Sequence, residues 1–284
     1  MLWKGRRESS NVDDRRGISG GGLAAGGGVI GVVIYLVYTF LSGGKIDPSN
    51  IPQLTPTQTQ TELSPEEKAA DDERAGFVKV VMADTEDVWN KLYGEMGKNY
   101  AAPTLVLFRG GVQSGCGSAS AAMGPFYCPG DQQVYIDLSF YQDMQEKFNA
   151  PGDFAMAYVV AHEVGHHIQY LNGTSEKMAR LRQQLSEKEY NRYSVKLELQ
   201  ADFFAGVWAN HAQKMKGILE KGDIEEALNA ANAIGDDRLQ KQAQGQVVPD
   251  AFRHGTSAQR MYWFKKGFET GDISQGDTFS ASDL

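Results

Sequence analysis

The chain has 284 residues, of which 41% are hydrophobic, 23% are charged and 32 are glycine. That supports a sizeable core and excludes a disordered, collagen-like or disulfide-dense chain. The formal net charge of −8 argues against nucleic acid as a general partner.

Residues 1–22 are polar and basic: Lys4, Arg6, Arg7, Arg15 and Arg16 outnumber Glu8, Asp13 and Asp14. From Leu23 to Leu41 no charge occurs. A helix of that length spans about 28 Å, close to the hydrocarbon thickness of a bilayer. Gly26, Gly27, Gly28 and Gly31 weaken its first half, whereas Val29 to Leu41 is strongly apolar. Residues 23–42 are read as a transmembrane signal anchor. A cleaved signal peptide is the rival, and Phe40-Leu41-Ser42-Gly43 is a poor cleavage site for it. The basic excess ahead of the run places the N-terminus in the cytoplasm and the body beyond the membrane. Residues 43–63, broken by Pro48, Pro52 and Pro56, read as a flexible linker.

The body, 64–284, opens with the helix start Ser64-Pro65-Glu66-Glu67. That helix is expected to run to about Ala83, with a second one beginning at Asp84 or Thr85. Thr104 to Phe108 reads as a buried strand. Cys116 and Cys128 fit a disulfide in an oxidising compartment, the alternatives being two free thiols or two metal ligands. Gln133 to Leu138 reads as another strand. Either its free edge pairs with an extended peptide, or it is internal.

His162-Glu163-Val164-Gly165-His166-His167 contains the pattern H-E-x-x-H. A helix is expected around it, with Asp153 as N-cap, the apolar run Phe154 to Ala161, and Gly173 past the C-terminus. Histidines four apart share one helix face, so both imidazoles reach one metal ion, usually zinc. Glu163 sits where it can take a proton from a metal-activated water. Gly165 costs helix stability, which a close backbone neighbour would explain. The chain has only 5 histidines, three of them here. His167 and His211 are read as structural.

Residues 174–185 and about 188–214 read as helices. Glu198 and Asp202, four apart, lie in the apolar stretch Leu197 to Trp208. Acids in such surroundings need partners. Glu198 is expected as third metal ligand, and Asp202 as acceptor of a ligating histidine's other N–H. Residues 223–242 read as one amphipathic helix without chemistry. His254 falls in a loop ahead of a helix capped by Thr256 or Ser257.

H-E-x-x-H followed by E-x-x-x-D resembles the glutamate-zincin metallopeptidases, among them thermolysin and the CaaX-processing peptidases. The opening Trp3 to Ser9, Met123-Gly124-Pro125-Phe126-Tyr127-Cys128 and His254-Gly255-Thr256-Ser257 are more similar to the bacterial neutral zinc metallopeptidases. The resemblance implies an α+β, mostly helical, zincin-like domain with a small β-sheet. It also implies one Zn2+ per chain held by His162, His166 and Glu198, Glu163 as general base, and a peptide or protein substrate. By similarity to the CaaX type, His254 would donate to an oxyanion and Arg260 would brace an acid of the site. With the apolar run it implies a single-pass protein of the bacterial inner membrane, its catalytic domain outside the cytoplasm. Gln169 and Asn172 stand where a metzincin needs glycine and histidine, which excludes that group. A catalytically silent, membrane-anchored scaffold retaining the fold is the alternative.

Overall fold

The computed structural model of the protein describes residues 1–17 and 63–281. Its elements in chain order are β1 (Val12–Asp14), α1 (Pro65–Glu95), β2 (Thr104–Phe108), β3 (Gly111–Ser114), β4 (Gly117–Ser120), β5 (Phe126–Cys128), β6 (Gln133–Asp137), α2 (Phe140–Glu146), α3 (Asp153–Leu171), α4 (Thr174–Gln184), α5 (Glu187–Lys216), α6 (Asp223–Ala233), α7 (Asp236–Gln244) and α8 (Ser257–Thr270). The class is mostly helical α+β.

The sheet has the order β1-β2-β6-β5, with β1 and β6 parallel to β2 and only β5 antiparallel to its neighbour. Strand β2 is buried from Leu105 to Phe108 and β6 from Val134 to Asp137. Strand β6 is therefore internal, flanked by β2 and β5, and the free-edge reading of residues 133–138 does not hold. Among the described residues β5 ends the sheet on that side. Strands β3 and β4 form a separate hairpin.

Three helix starts follow from local sequence. Ser64 with Glu67, Ser186 with Glu189, and Thr256 with Gln259 each form a reciprocal capping box at the head of α1, α5 and α8. Helix α1 does not break at Asp84. Asp84 is buried and takes Arg6 at 2.5 Å and Lys216 at 2.8 Å. Thr85 returns its hydroxyl to the Met82 carbonyl, which a continuing helix allows. At α3 the N-cap is Gly152, at φ 118°, and Asp153 is the first helical residue. The helix expected over 223–242 is two, because Gly235 lies against Ser257. A Cβ there would sit 2.4 Å from the Ser257 nitrogen.

Helices α3, α5 and α8 make the centre of the molecule. Phe154 stacks on Trp208, and Tyr158 meets Phe264 edge-on. Helices α5 and α8 cross in backbone contact. A Cβ on Gly206 would lie 2.1 Å from the Phe264 carbonyl oxygen, and one on Gly267 2.1 Å from that of Phe203. Helices α3 and α5 meet at Gly165, whose Cβ would lie 2.9 Å from the Ala201 carbonyl oxygen. That is the close neighbour its mid-helix position called for.

Residues 1–17 are part of this domain. Strand β1 pairs with β2, Val12 opposite Leu105. Arg6 reaches Asp84, and Arg16 reaches Asp71 at 2.5 Å. The Met1 ammonium lies 2.6 Å from Asp153. The expected span 23–42, and the expected linker 43–63 apart from its last residue, lie outside the described residues. Among the described residues no helix is long and apolar enough to cross a membrane. The docked strand does correct one expectation. A single crossing at 23–42 would separate residues 1–17 from the body, whereas β1 and β2 share one sheet and so one side.

Candidate metal centre

Helix α3 supplies His162, Glu163 and His166; α5 supplies Glu198 and Asp202. Nε2 of His162 lies 3.2 Å from Glu198 Oε2, and Nε2 of His166 lies 3.6 Å from Oε1. The two rings stand edge to face with centroids 4.8 Å apart. Two ligands each about 2.0–2.1 Å from a tetrahedral zinc sit roughly 3.3–3.4 Å from one another. The observed spacings bracket that value, and the two-histidine, one-carboxylate set is that of catalytic zinc. The residues fit the ion.

The remaining ring nitrogens are occupied. His162 Nδ1 lies 2.8 Å from Asp202 Oδ1, and His166 Nδ1 lies 2.8 Å from Gln169 Oε1. Asp202 is fully buried and heavily served. The Tyr158 hydroxyl donates to Oδ1 at 2.5 Å, while Arg260 donates from Nε to Oδ2 at 2.8 Å and from Nη2 to Oδ1 at 2.9 Å. Burial disfavours the Asp202 charge, but Arg260 and then His162 outweigh it and hold the carboxyl at about 2. Glu198 lies well below its ordinary range: burial opposes its charge, and His166 and His162 overcome that. Burial also opposes a charged His162, yet Asp202 and then Glu198 raise it to about 10. A metal ion bound at this site would take that proton's place.

These groups open on a cleft of about 660 Å³. Glu163, His254 and Arg260 line it beside His162, His166 and Glu198, and Met123, Phe126, Phe140 and Phe148 give it an apolar wall. His254 is held by Asp236. Oδ1 receives Nδ1 at 3.1 Å, and Oδ2 receives the backbone N–H groups of Arg253, His254 and Gly255. The hydrogen bond to Asp236 raises the His254 pKa, with partial desolvation opposing it, and half of the side chain stays exposed.

The expected disulfide Cys116–Cys128 is present and fastens β5, the strand beside the cleft, to the hairpin turn. His167 faces away from the cluster, between the Tyr127 hydroxyl at 3.0 Å and the Ala101 carbonyl at 2.6 Å, and burial lowers its pKa. His211 donates to the Gly271 carbonyl. A second acidic group, Asp153, Asp223 and Glu226, has its own partners: the Met1 ammonium meets the two aspartates, and the Phe154 N–H meets Glu226.

Sequence reasoning missed Tyr158, Gln169 and Asp236. Tyr158 lies one turn before His162 and Gln169 three residues after His166, so helical spacing could have found both. Asp236 gave no such signal, and residues 223–242 are not free of site chemistry.

The chain is 50% identical over 291 residues to the uncharacterized protein YpfJ of Escherichia coli strain K12, covering 99% of this chain and 100% of that one. It is 39% identical over 255 residues to an uncharacterized protein of Mycobacterium bovis, covering 84% of this chain and 85% of that one. No solved structure matches. The model of one family, described as "putative neutral zinc metallopeptidase", matches residues 1–279, and the chain belongs to that family.

Proposed function

We propose that the protein is a zinc-dependent peptidase, with His162, His166 and Glu198 holding one Zn2+. The observation that supports this most directly is the convergence of both Nε2 atoms and one carboxylate at ligand spacing, beside a glutamate in the same cleft. The zinc ion, when bound, lowers the pKa of a water toward about 7 and polarises the substrate carbonyl.

Glu163 accepts the proton of the attacking water and returns it to the leaving amine. His254 donates to the oxygen that gains charge on the substrate carbonyl. Asp202, with Arg260 and Tyr158 behind it, keeps the His162 ring turned toward the metal. The substrate is an extended peptide lying along the outer edge of β5, where Phe126 and Tyr127 border the cleft.

The apolar run 23–42 attaches the domain to the bacterial inner membrane. Residues 1–17 and the body lie together on its oxidising side, where a disulfide persists. Labelling single cysteines placed near residues 10 and 240 in intact cells tests this; opposite accessibility would refute it.

Glu163→Gln tests the chemistry. The variant should keep its zinc and lose peptide hydrolysis by roughly 10²–10⁴-fold. Undiminished hydrolysis would remove Glu163 from the reaction. A wild-type chain that holds zinc and cleaves no peptide would favour the scaffold reading.

A further inference from the structure

Two glutamines beside the metal centre have no part in the chemistry above. Gln169, on α3, is 1% exposed. Its Nε2 donates to the Leu197 carbonyl at 2.6 Å and to Gln200 Oε1 at 3.2 Å. Gln200 Nε2 in turn donates to the Gly276 carbonyl at 2.8 Å. At the other end, Gln169 Oε1 lies 2.8 Å from His166 Nδ1.

The direction of this string is fixed by chemistry. A carbonyl oxygen only accepts. The carbonyls of Leu197 and Gly276 therefore turn both NH2 groups toward themselves and both amide oxygens the other way. Oε1 of Gln169 can only receive, so His166 carries its hydrogen on Nδ1. In the neutral ring its Nε2, 3.6 Å from Glu198 Oε1, is then the nitrogen that carries the lone pair.

We propose that Gln169 is the positioning residue of His166, fixing its ring rotation and tautomer as Asp202 fixes those of His162. The inference rests on the zinc reading above. Gln169 also ties His166 to the backbone of α5 at Leu197, one residue before Glu198. Two ligands from two helices are thereby set against each other by one side chain. A carboxylate at 169 would orient the ring equally well but would face the Leu197 carbonyl with a negative charge. An amide satisfies both neighbours. Gln200 acts one step back, holding Gln169 from the segment that follows α8.

The test compares zinc dissociation constants of the full chain, by chelator competition, for wild type, Gln169→Met, Gln169→Glu and Gln200→Met. The thermal midpoint of each metal-free protein is recorded alongside. Methionine keeps length and volume and loses the hydrogen bonds. Gln169→Met should weaken zinc binding by about 10- to 100-fold. Gln169→Glu, which keeps an acceptor toward His166, should recover most of that loss even where its midpoint falls. Gln200→Met should have the smallest effect. Wild-type affinity in Gln169→Met, or no recovery in Gln169→Glu, would overturn the proposal. Should Gln169→Met not fold, ring 15N spectra of the zinc-loaded wild type decide. His166 protonated at Nδ1 and ligated through Nε2 is expected, and the reverse overturns it. A wild type that binds no zinc at all would fail the parent reading instead, before any variant is compared.

Discussion

Arg260 grips Asp202 as a fork across α8 and α5, Nε on Oδ2 and Nη2 on Oδ1, with 3% and 0% of the two side chains exposed. Removing one member of a buried ion pair strands the other and costs about 3–5 kcal/mol. Arg260→Met should lower the unfolding free energy by about that amount. Arg260→Lys should recover only part of it, because an ammonium cannot reproduce the fork. Urea unfolding measures both. A loss below about 1 kcal/mol in Arg260→Met would show the pair to be incidental.

Gly165 sits where α3 meets Ala201, itself between Glu198 and Asp202 on α5. A methyl group there would press on backbone, which cannot turn aside. Gly165→Ala should therefore cost about 1–3 kcal/mol, despite alanine's better helix propensity. It should also weaken zinc binding, because the two ligand-bearing helices must separate. A stabilised variant with unchanged zinc affinity would contradict the packing described.

His254 gives a pH signature. Its hydrogen bond to Asp236 raises the folded pKa above the ordinary 6.5. The charged imidazole is thus held below that raised value and lost as pH climbs through it. With imidazolium as the donor to the oxyanion, kcat/KM falls along the same alkaline limb. Asp236→Asn removes the raising influence, so the limb should move to lower pH. An unmoved limb would limit Asp236 to holding the 253–255 backbone.

The N-terminal strand bears on how the domain is delimited. A chain starting at residue 63 loses β1, and it loses Arg6 and Arg16 from the buried carboxylates Asp84 and Asp71. Lys216 and Arg109 remain beside them, so the loss should be about 3 kcal/mol or more rather than complete unfolding. Thermal midpoints of the full and shortened chains should differ accordingly. Equal midpoints would detach residues 1–17 from the fold.

What the sequence made legible was local. The i, i+4 spacing of His162 and His166 is a property of one helix, and so is that of Glu198 and Asp202. The helix starts at Ser64 and Thr256 need only four residues each, and so does the one at Ser186, which the reading of 188–214 passed over. The missed features depend on distant partners. Strand β1 is three residues, two of them aspartate, and becomes a strand only by meeting β2. Asp84 looked like a helix cap because its cations, Arg6 and Lys216, lie far along the chain. Asp236 acquires its role from backbone N–H groups 17 to 19 residues later. Strands β3 and β4, built largely of Gly, Ser and Ala, carry no alternating apolar pattern.

The zinc content of the purified full chain, measured beside Glu198→Ala after dialysis against a weak chelator, tests the central claim most directly. One zinc per wild-type chain is expected, with the variant largely stripped because two imidazoles alone hold the ion poorly. Full zinc in Glu198→Ala would contradict the account, since the meeting of α3 and α5 would then not be what binds the metal.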